Sequence, residues 1–130
     1  MRLLLDTHIW LWSLLDPARI TQKVASELEE SSNELWLSPI SVWEFLILVE
    51  RGRIILKTGP REWIRNVFSR VPFIEAPINH EVAIQSRLLQ LSHQDPADRF
   101  LIATAVVFDL ILVTADERLI RSGNRILANN

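Results

Sequence analysis

The chain has 130 residues, of which 48% are hydrophobic and 23% charged, and this is typical of one globular domain spanning residues 1–130. The formal net charge of −2 argues against a protein that binds nucleic acid simply by coating it with positive charge. The absence of cysteine excludes disulfides and thiolate metal sites, and it fits a cytoplasmic protein. The longest apolar run, Phe45 to Val49, is too short to cross a membrane, so we expect no membrane partner.

Short apolar runs alternate with longer helical segments, which predicts an α/β domain with a largely parallel sheet. The predicted elements, in chain order, are a strand at Arg2–Leu5, helices at 7–15 and from 21, a strand at Leu35–Leu37, helices at 41–51 and 60–70, an extended piece at 73–74, helices at 79–91 and 95–108, a strand at Leu110–Val113, a helical turn from Asp116 and an edge strand at Arg125–Leu127. Thr7, Ser41 and Asp95 are the expected capping residues of three of these helices.

Two acidic residues stand directly after predicted strands. Asp6 follows the first strand, and Asp116 follows the strand that ends near Val113. The carboxyl ends of parallel strands form the edge of a sheet where ligands bind. Each residue also has an ordinary explanation as a helix cap, which the sequence alone leaves open.

Two further acidic residues occupy the first turns of predicted helices. Glu44 lies in a strongly apolar segment, where burial without a partner would cost several kcal/mol. It also forms an S-x-x-E capping box with Ser41. Asp98 follows Asp95 and Pro96, so it has the third helical position that a helix dipole favours for an acid. Structural and functional explanations therefore remain open for both.

All four carboxylates are expected at one edge of the sheet. Like charges this close repel each other, so a bound cation would be needed to keep them together. Hard oxygen ligands suit Mg²⁺, with Mn²⁺ as a second possibility. Such an ion lowers the pKa of a bound water and stabilises charge on a phosphate, which is chemistry suited to phosphodiester hydrolysis.

Four segments give the chain a family resemblance. They are LLLDTHIWLW (3–12), LSPISVWEFLILVERGRI (37–54), HQDPADRFLIATA (93–105) and LVTADERL (112–119). Together they resemble a PIN domain of the VapC toxin type, over nearly the whole chain. The DPADRFLIATA segment and its spacing to VTADE are the most specific parts.

The resemblance implies a PIN-like three-layer α/β/α fold with a central, mostly parallel sheet. It also implies a Mg²⁺-dependent endoribonuclease, the toxin of a toxin–antitoxin pair, that hydrolyses RNA with a metal-activated water and forms a homodimer. By motif, Asp6 and Asp98 become the principal metal ligands, and Glu44 and Asp116 complete the catalytic site. Thr114 matches a supporting hydroxyl. Arg99 matches a position beside the third acid, with a less defined role.

A basic stretch follows the apolar helix. Its arginines are candidates for holding the RNA backbone, although a solvated surface is the simpler explanation. The candidates are Arg51, Arg53, Arg61 and Arg65. The chain also has five tryptophans, many for its size. Packing in the core is the simpler explanation, but part of their surface is expected to contact a partner such as the antitoxin.

Two alternatives remain. A phospho-receiver signalling domain is also α/β with strand-end acids, but it needs a lysine after a late strand, where this chain has Thr114-Ala115-Asp116. A catalytically silent binding module with the PIN fold would not need to keep all four acids. Cleavage of RNA that depends on Mg²⁺ would distinguish the enzyme from both.

Overall fold

The computed structural model of the chain describes residues 1–92 and 94–130; His93, the first residue of the third segment quoted above, lies outside them. The elements, in chain order, are β1 (Arg2–Leu5), α1 (Thr7–Leu15), a 3-10 helix (Pro17–Arg19), α2 (Gln22–Glu29), β2 (Glu34–Leu37), α3 (Pro39–Glu50), α4 (Pro60–Arg70), β3 (Ile74–Glu75), α5 (His80–Leu88), α6 (Pro96–Phe108), β4 (Ile111–Thr114), α7 (Glu117–Ile120) and β5 (Ile126–Ala128). Within these two ranges, no helix combines the length and the apolar character needed to cross a membrane.

The five strands form one sheet in the order β3-β2-β1-β4-β5, and each neighbouring pair is parallel. Leu4 of the central strand β1 pairs with Trp36 of β2 on one side and with Leu112 of β4 on the other. The chain builds outward from β1 to β3 and then returns to the other side of β1 with β4. Such a change of direction opens a crevice at the carboxyl ends of β1 and β4, the two strands between which it occurs. The predicted parallel α/β architecture is confirmed.

Helices cover both faces of the sheet. Leu3 and Leu5 pack into an apolar cluster with residues of α1 to α4. Leu4 points to the opposite face, where it packs with Leu101 and Ile102 of α6. Because successive side chains of a strand alternate between its faces, a short apolar run such as β1 supplies both clusters. The three-layer α/β/α arrangement is therefore confirmed.

The start of α3 differs from the prediction. The helix begins at Pro39, and Ser38 rather than Ser41 is its N-cap, accepting a hydrogen bond from the Ile40 amide. A serine followed by proline is a strong start signal, because proline at the first helical position needs no hydrogen-bond acceptor for its nitrogen. The predicted capping box between Ser41 and Glu44 is therefore wrong, and Glu44 lies deeper in the helix.

The end of α5 also comes earlier than predicted, at Leu88 instead of Leu91. Arg99 of α6 is buried and donates to the carbonyl oxygens of Ser86 and Leu89 at 2.8 and 3.1 Å. These donors satisfy carbonyls at the end of the helix that would otherwise lack partners. Arg99 thus joins α5 to α6 and positions the first turn of α6.

Candidate active site

The four predicted acidic residues lie in one cleft at the carboxyl edge of the sheet. Asp6 follows β1 and Asp116 follows β4, so they flank the crevice where the sheet changes direction. Glu44 of α3 and Asp98 of α6 complete the cleft, whose volume is about 320 Å³. Four residues from distant parts of the sequence thus meet at the place where this fold binds ligands.

Asp6 occupies the N-cap position of α1, where Thr7 was expected, but its side chain makes no capping hydrogen bond. Its carboxylate is buried and accepts a hydrogen bond from the Thr114 hydroxyl at 2.7 Å. Burial raises the pKa of the Asp6 carboxyl above its usual value, and the Thr114 hydrogen bond offsets part of that shift. The predicted cap role of Thr7 is wrong, because the helix begins at Thr7 itself.

Glu44 is held by a chain of hydroxyl groups. The Thr7 hydroxyl donates a short hydrogen bond to the Glu44 carboxylate. The Ser41 hydroxyl lies 2.9 Å from the Thr7 oxygen and can donate to it, since the single proton of Thr7 goes to Glu44. Burial raises the pKa of Glu44, and the nearby negative charges of Asp6 and Asp95 add to that rise against the effect of Thr7.

Asp95, and not Asp98, is the N-cap of α6. The Asp95 carboxylate accepts from the amides of Ala97 and Asp98, so the predicted cap is confirmed. The Asp98 carboxylate lines the cleft and lies 3.4 Å from a guanidinium nitrogen of Arg118. Burial, followed by repulsion from Asp95 and Asp6, raises the pKa of Asp98 to about 7.

Asp116 both caps a helix and belongs to the acidic cleft. Its side chain accepts from the backbone amide of Arg118 at 2.8 Å, as a helix cap does. The same carboxylate pairs with the Arg118 guanidinium at 3.0 Å, and this hydrogen bond lowers the pKa of Asp116. Arg118 therefore bridges Asp98 and Asp116.

Arg118 was not among the predicted site residues, although its place in the sequence offered a signal. It is the second residue of the short helix α7 and stands two positions after the predicted acid Asp116. An arginine so close in sequence to a predicted metal ligand is a candidate partner for that carboxylate. The structure shows that Arg118 pairs with both Asp98 and Asp116.

The family resemblance implied two supporting residues, Thr114 and Arg99, and of the two Thr114 contacts the acids of the cleft. Thr114 is fully buried; its hydroxyl donates to Asp6 and accepts from the Asp116 amide at 3.1 Å. It thereby ties the two strand-end acids together. Arg99 does not line the cleft; it acts on α5 and α6, as described above. His8 lines the cleft beside Asp6, as a polar residue in the first turn of α1.

The basic candidates are only partly near the site. Arg51 lines a second groove that shares residues with the acidic cleft. The other three lie exposed on the segment after α3 and on α4, and they line neither the cleft nor this groove; they are Arg53, Arg61 and Arg65.

The donor chemistry fits a hard divalent cation. The cleft is lined by five carboxylates, those of the four predicted acids and that of Asp95. Burial raises the pKa of Asp6, Glu44 and Asp98. In residues 1–92 and 94–130, no three acidic, histidine or cysteine side chains stand close enough to ligate one ion as they are placed. Joint ligation would therefore require the carboxylates to turn inward, with Asp98 and Asp116 leaving Arg118.

Comparison with known proteins agrees with the geometry. Residues 3–124 match the PIN domain family. The chain is 35% identical over 117 residues to Ribonuclease VapC22 of Mycobacterium tuberculosis, an alignment that covers 89% of this chain and 88% of that protein.

Solved structures share the fold at low sequence identity. VapBC2 from Rickettsia felis, bound to a DNA fragment from its promoter, aligns with a TM-score of 0.72 and 18% identity over 99% of this chain and 98% of the matched chain. DNA-bound VapBC from Salmonella typhimurium aligns with a TM-score of 0.71 and 16% identity over 98% of both chains. The fold, the family match and the relative together place this chain in the PIN-domain family, among ribonucleases of the VapC type.

Proposed function

We propose that the chain is a cytoplasmic, Mg²⁺-dependent endoribonuclease, the toxin of a toxin–antitoxin pair, which hydrolyses RNA phosphodiester bonds with a metal-activated water. Mn²⁺ is an alternative ion, because it accepts the same oxygen ligands. The observation that carries the proposal is the convergence of four carboxylates in one cleft where the sheet changes direction. The 35% identical relative is named a ribonuclease, which supports RNA as the substrate.

The residues of the chain have separable roles in this proposal. Asp6 and Asp98 would be the principal metal ligands, and Glu44 and Asp116 would complete the site. Thr114 orients the Asp6 carboxylate by donating to it. A bound divalent cation would lower the pKa of a water and stabilise negative charge on the phosphate.

A nuclease assay tests this function directly. Purified protein should cut single-stranded RNA in the presence of Mg²⁺, lose activity in excess EDTA and regain it when Mg²⁺ is restored. Cleavage that persists in EDTA would contradict the metal dependence. No cleavage of any RNA by folded, Mg²⁺-loaded protein would favour the silent binding module. The receiver alternative instead predicts covalent phosphorylation of a strand-end aspartate, which a phosphate donor and mass spectrometry would reveal.

We also propose an antitoxin partner. Similar folds occur in complexes such as the VapBC and FitAB structures, and this chain has a separate apolar groove of about 390 Å³. Val42 of α3, Phe68 of α4 and Phe73 line that groove, and Phe68 is 41% exposed. An apolar groove of this kind suits the apolar face of a helix or segment from a partner.

Co-expression tests the antitoxin proposal. A small protein encoded immediately beside this gene should co-purify with the chain and inhibit RNA cleavage. Phe68→Ser should release that protein while leaving RNA cleavage intact, because Phe68 does not line the acidic cleft. Unchanged co-purification with Phe68→Ser would place the antitoxin elsewhere.

Self-association is the last part of the proposal. Ile84 and Leu88 are one turn apart on α5, and 53% and 63% of their surfaces are exposed. Adjacent exposed apolar side chains on one helix face suit a homodimer interface. Light scattering should show a dimer that Leu88→Glu converts to a monomer; a wild-type monomer at all concentrations would contradict it.

A further inference from the structure

A groove beside the acidic cleft has no role in the chemistry described so far. Its volume is about 340 Å³, and it shares His8, Glu44 and Asp95 with the cleft. We call it the Trp43 groove, after the aromatic residue on its α3 wall. The shared residues make it a continuous extension of the candidate active site, so a polymer bound at the acids would enter it.

One face of α3 forms the wall of the Trp43 groove. Trp43 and Ile47 of α3 and the C-cap residue Arg51 all line it, and their spacing of four residues places them along the same side of the helix. At a rise of about 1.5 Å per residue, the stripe extends roughly 12 Å along the helix axis. Trp43 is 55% exposed, the other four tryptophans being buried or half-buried. The indole is thus available to a ligand.

The chemistry along the groove changes in a fixed order. The acidic cleft adjoins one side through Glu44, the aromatic and aliphatic side chains follow, and Arg51 stands at the far end. A nucleotide presents its phosphate, its base and the next phosphate in an order that matches these residues when its scissile phosphate lies at the acidic cleft. Its base would lie over the apolar part and the next backbone phosphate would lie near the arginine.

We propose that the Trp43 groove binds one nucleotide of single-stranded RNA next to the scissile phosphate, with its base stacked on Trp43 and the neighbouring phosphate held by Arg51. This proposal rests on the ribonuclease function proposed above. Stacking on an aromatic side chain contributes about 1–3 kcal/mol per base and tolerates any base. The guanidinium supplies a charge-assisted contact to phosphate.

The geometry favours unpaired RNA over a duplex. A base can stack on a protein side chain only when it is splayed out of its own helix, as in loops and single strands. Pro96 and Ala97 at the start of α6 also line the groove, so apolar side chains from both α3 and α6 border the space proposed for the base. A peptide segment of a partner protein is the competing occupant, and the experiment separates it from RNA.

RNA binding by variants of the full chain tests the proposal. A fluorescein-labelled single-stranded oligoribonucleotide is titrated into Asp98→Asn protein, which should not cut it, and the anisotropy gives Kd. Adding Trp43→Ala should weaken binding by about 5- to 100-fold, which corresponds to the loss of one stacked base. Trp43→Phe should restore most of the affinity, because an aromatic face is retained. Ile55→Ala is the matched control, since Ile55 is 90% exposed and lines neither cavity.

Kinetics on the otherwise wild-type chain give the second readout. Trp43→Ala should raise KM for single-stranded RNA with little change in kcat, while circular dichroism and Tm show an intact fold. Equal Kd and KM for Trp43→Ala and Ile55→Ala would overturn the proposal. A Trp43→Ala chain that loses the co-purified antitoxin but keeps the RNA affinity of the control would also overturn it, because the groove would then bind a protein segment. If the wild-type chain cuts no RNA but binds it through Trp43, the ribonuclease function fails and the groove assignment stands.

Discussion

The candidate active site has two halves that hold their carboxylates in different ways. In the inner pair, Asp6 and Glu44 accept hydrogen bonds from the hydroxyls of Thr114 and Thr7. In the outer pair, Asp98 and Asp116 share the guanidinium of Arg118. The inner pair is therefore fixed by neutral donors inside the protein, and the outer pair by a cation at its surface.

This difference identifies the half that must give up a partner before it can bind a metal ion. The hydroxyl donors of the inner pair carry no net charge, so Asp6 and Glu44 have no competing cation to lose, whereas Asp98 and Asp116 do. The Arg118 side chain is 55% exposed, and solvent screening makes the ion pairs of an exposed side chain weak. Releasing the outer pair from Arg118 therefore costs little. We expect the inner pair to stay in place and the outer pair to exchange Arg118 for the metal.

The largest expected effect is the loss of RNA cleavage when the charge of Asp98, one carboxylate of the outer pair, is removed. Asp98→Asn should lower Mg²⁺-dependent RNA cleavage on the order of 100- to 1000-fold, the scale at which one transition-state contact contributes. Asp109→Asn is the matched control, because Asp109 ends α6 far from the cleft and asparagine tolerates its left-handed backbone. Similar activity in both folded variants would remove Asp98 from the catalytic site.

The next effect tests the hydroxyl support of the inner pair. Thr114→Val removes the donor to Asp6 and should weaken Mn²⁺ binding about tenfold, as loss of a ligand-orienting group does. Thr104→Val is the control, since Thr104 is equally buried but donates to the Phe100 carbonyl within α6. Titration calorimetry measures both. Equal Mn²⁺ affinities of the two variants would mean that Thr114 supports the fold and does not orient the Asp6 carboxylate for the metal.

A smaller effect of opposite sign is expected at Arg118. Arg118→Gln removes the cation that competes for Asp98 and Asp116, so Mn²⁺ should bind more tightly, by about two- to fivefold. Arg121→Gln changes the net charge equally, and the Arg121 guanidinium donates to the Glu117 carbonyl and does not line the acidic cleft. If the two variants bind Mn²⁺ equally, Arg118 does not compete with the metal.

The smallest effect concerns the stability of the metal-free protein. Because the pKa of Asp98 is raised to about 7, the folded state keeps a proton between about pH 4 and 7 that the unfolded state has lost. The contribution of Asp98 to stability therefore falls as pH rises through this range. Asp98→Asn should raise Tm relative to wild type by roughly 2–6 °C more at pH 7.5 than at pH 5. A difference independent of pH would contradict the raised pKa.

Local sequence signals predicted most of the fold. The apolar runs of β1 and β4 and the Asp95-Pro96 start of α6 follow from burial and from proline geometry, which depend on neighbours in the chain. The predicted start of α3 was wrong because it took Ser41 as the cap and left out Ser38, which directly precedes Pro39. Proline at position 39 favours the earlier start, and this signal was present in the sequence.

The contacts within the site were less predictable. Asp6 and Asp116 were placed correctly at the sheet edge, because strand ends are visible in the sequence. Thr7 and Glu44, however, are 37 residues apart, and their hydrogen bond depends on how α1 packs beside α3. The same holds for Arg118 and Asp98, which are 20 residues apart. Tertiary packing therefore determines the hydroxyl and guanidinium contacts that distinguish the two halves.

Binding of a divalent cation tests the central claim most directly. Titration calorimetry with Mn²⁺ at pH 7.5 should show specific binding to the wild-type chain and at least about tenfold weaker binding to Asp98→Asn, because the four carboxylates act as one site. Identical binding to both proteins, or no binding to the folded wild-type chain, would contradict the assignment of these acids to one metal site.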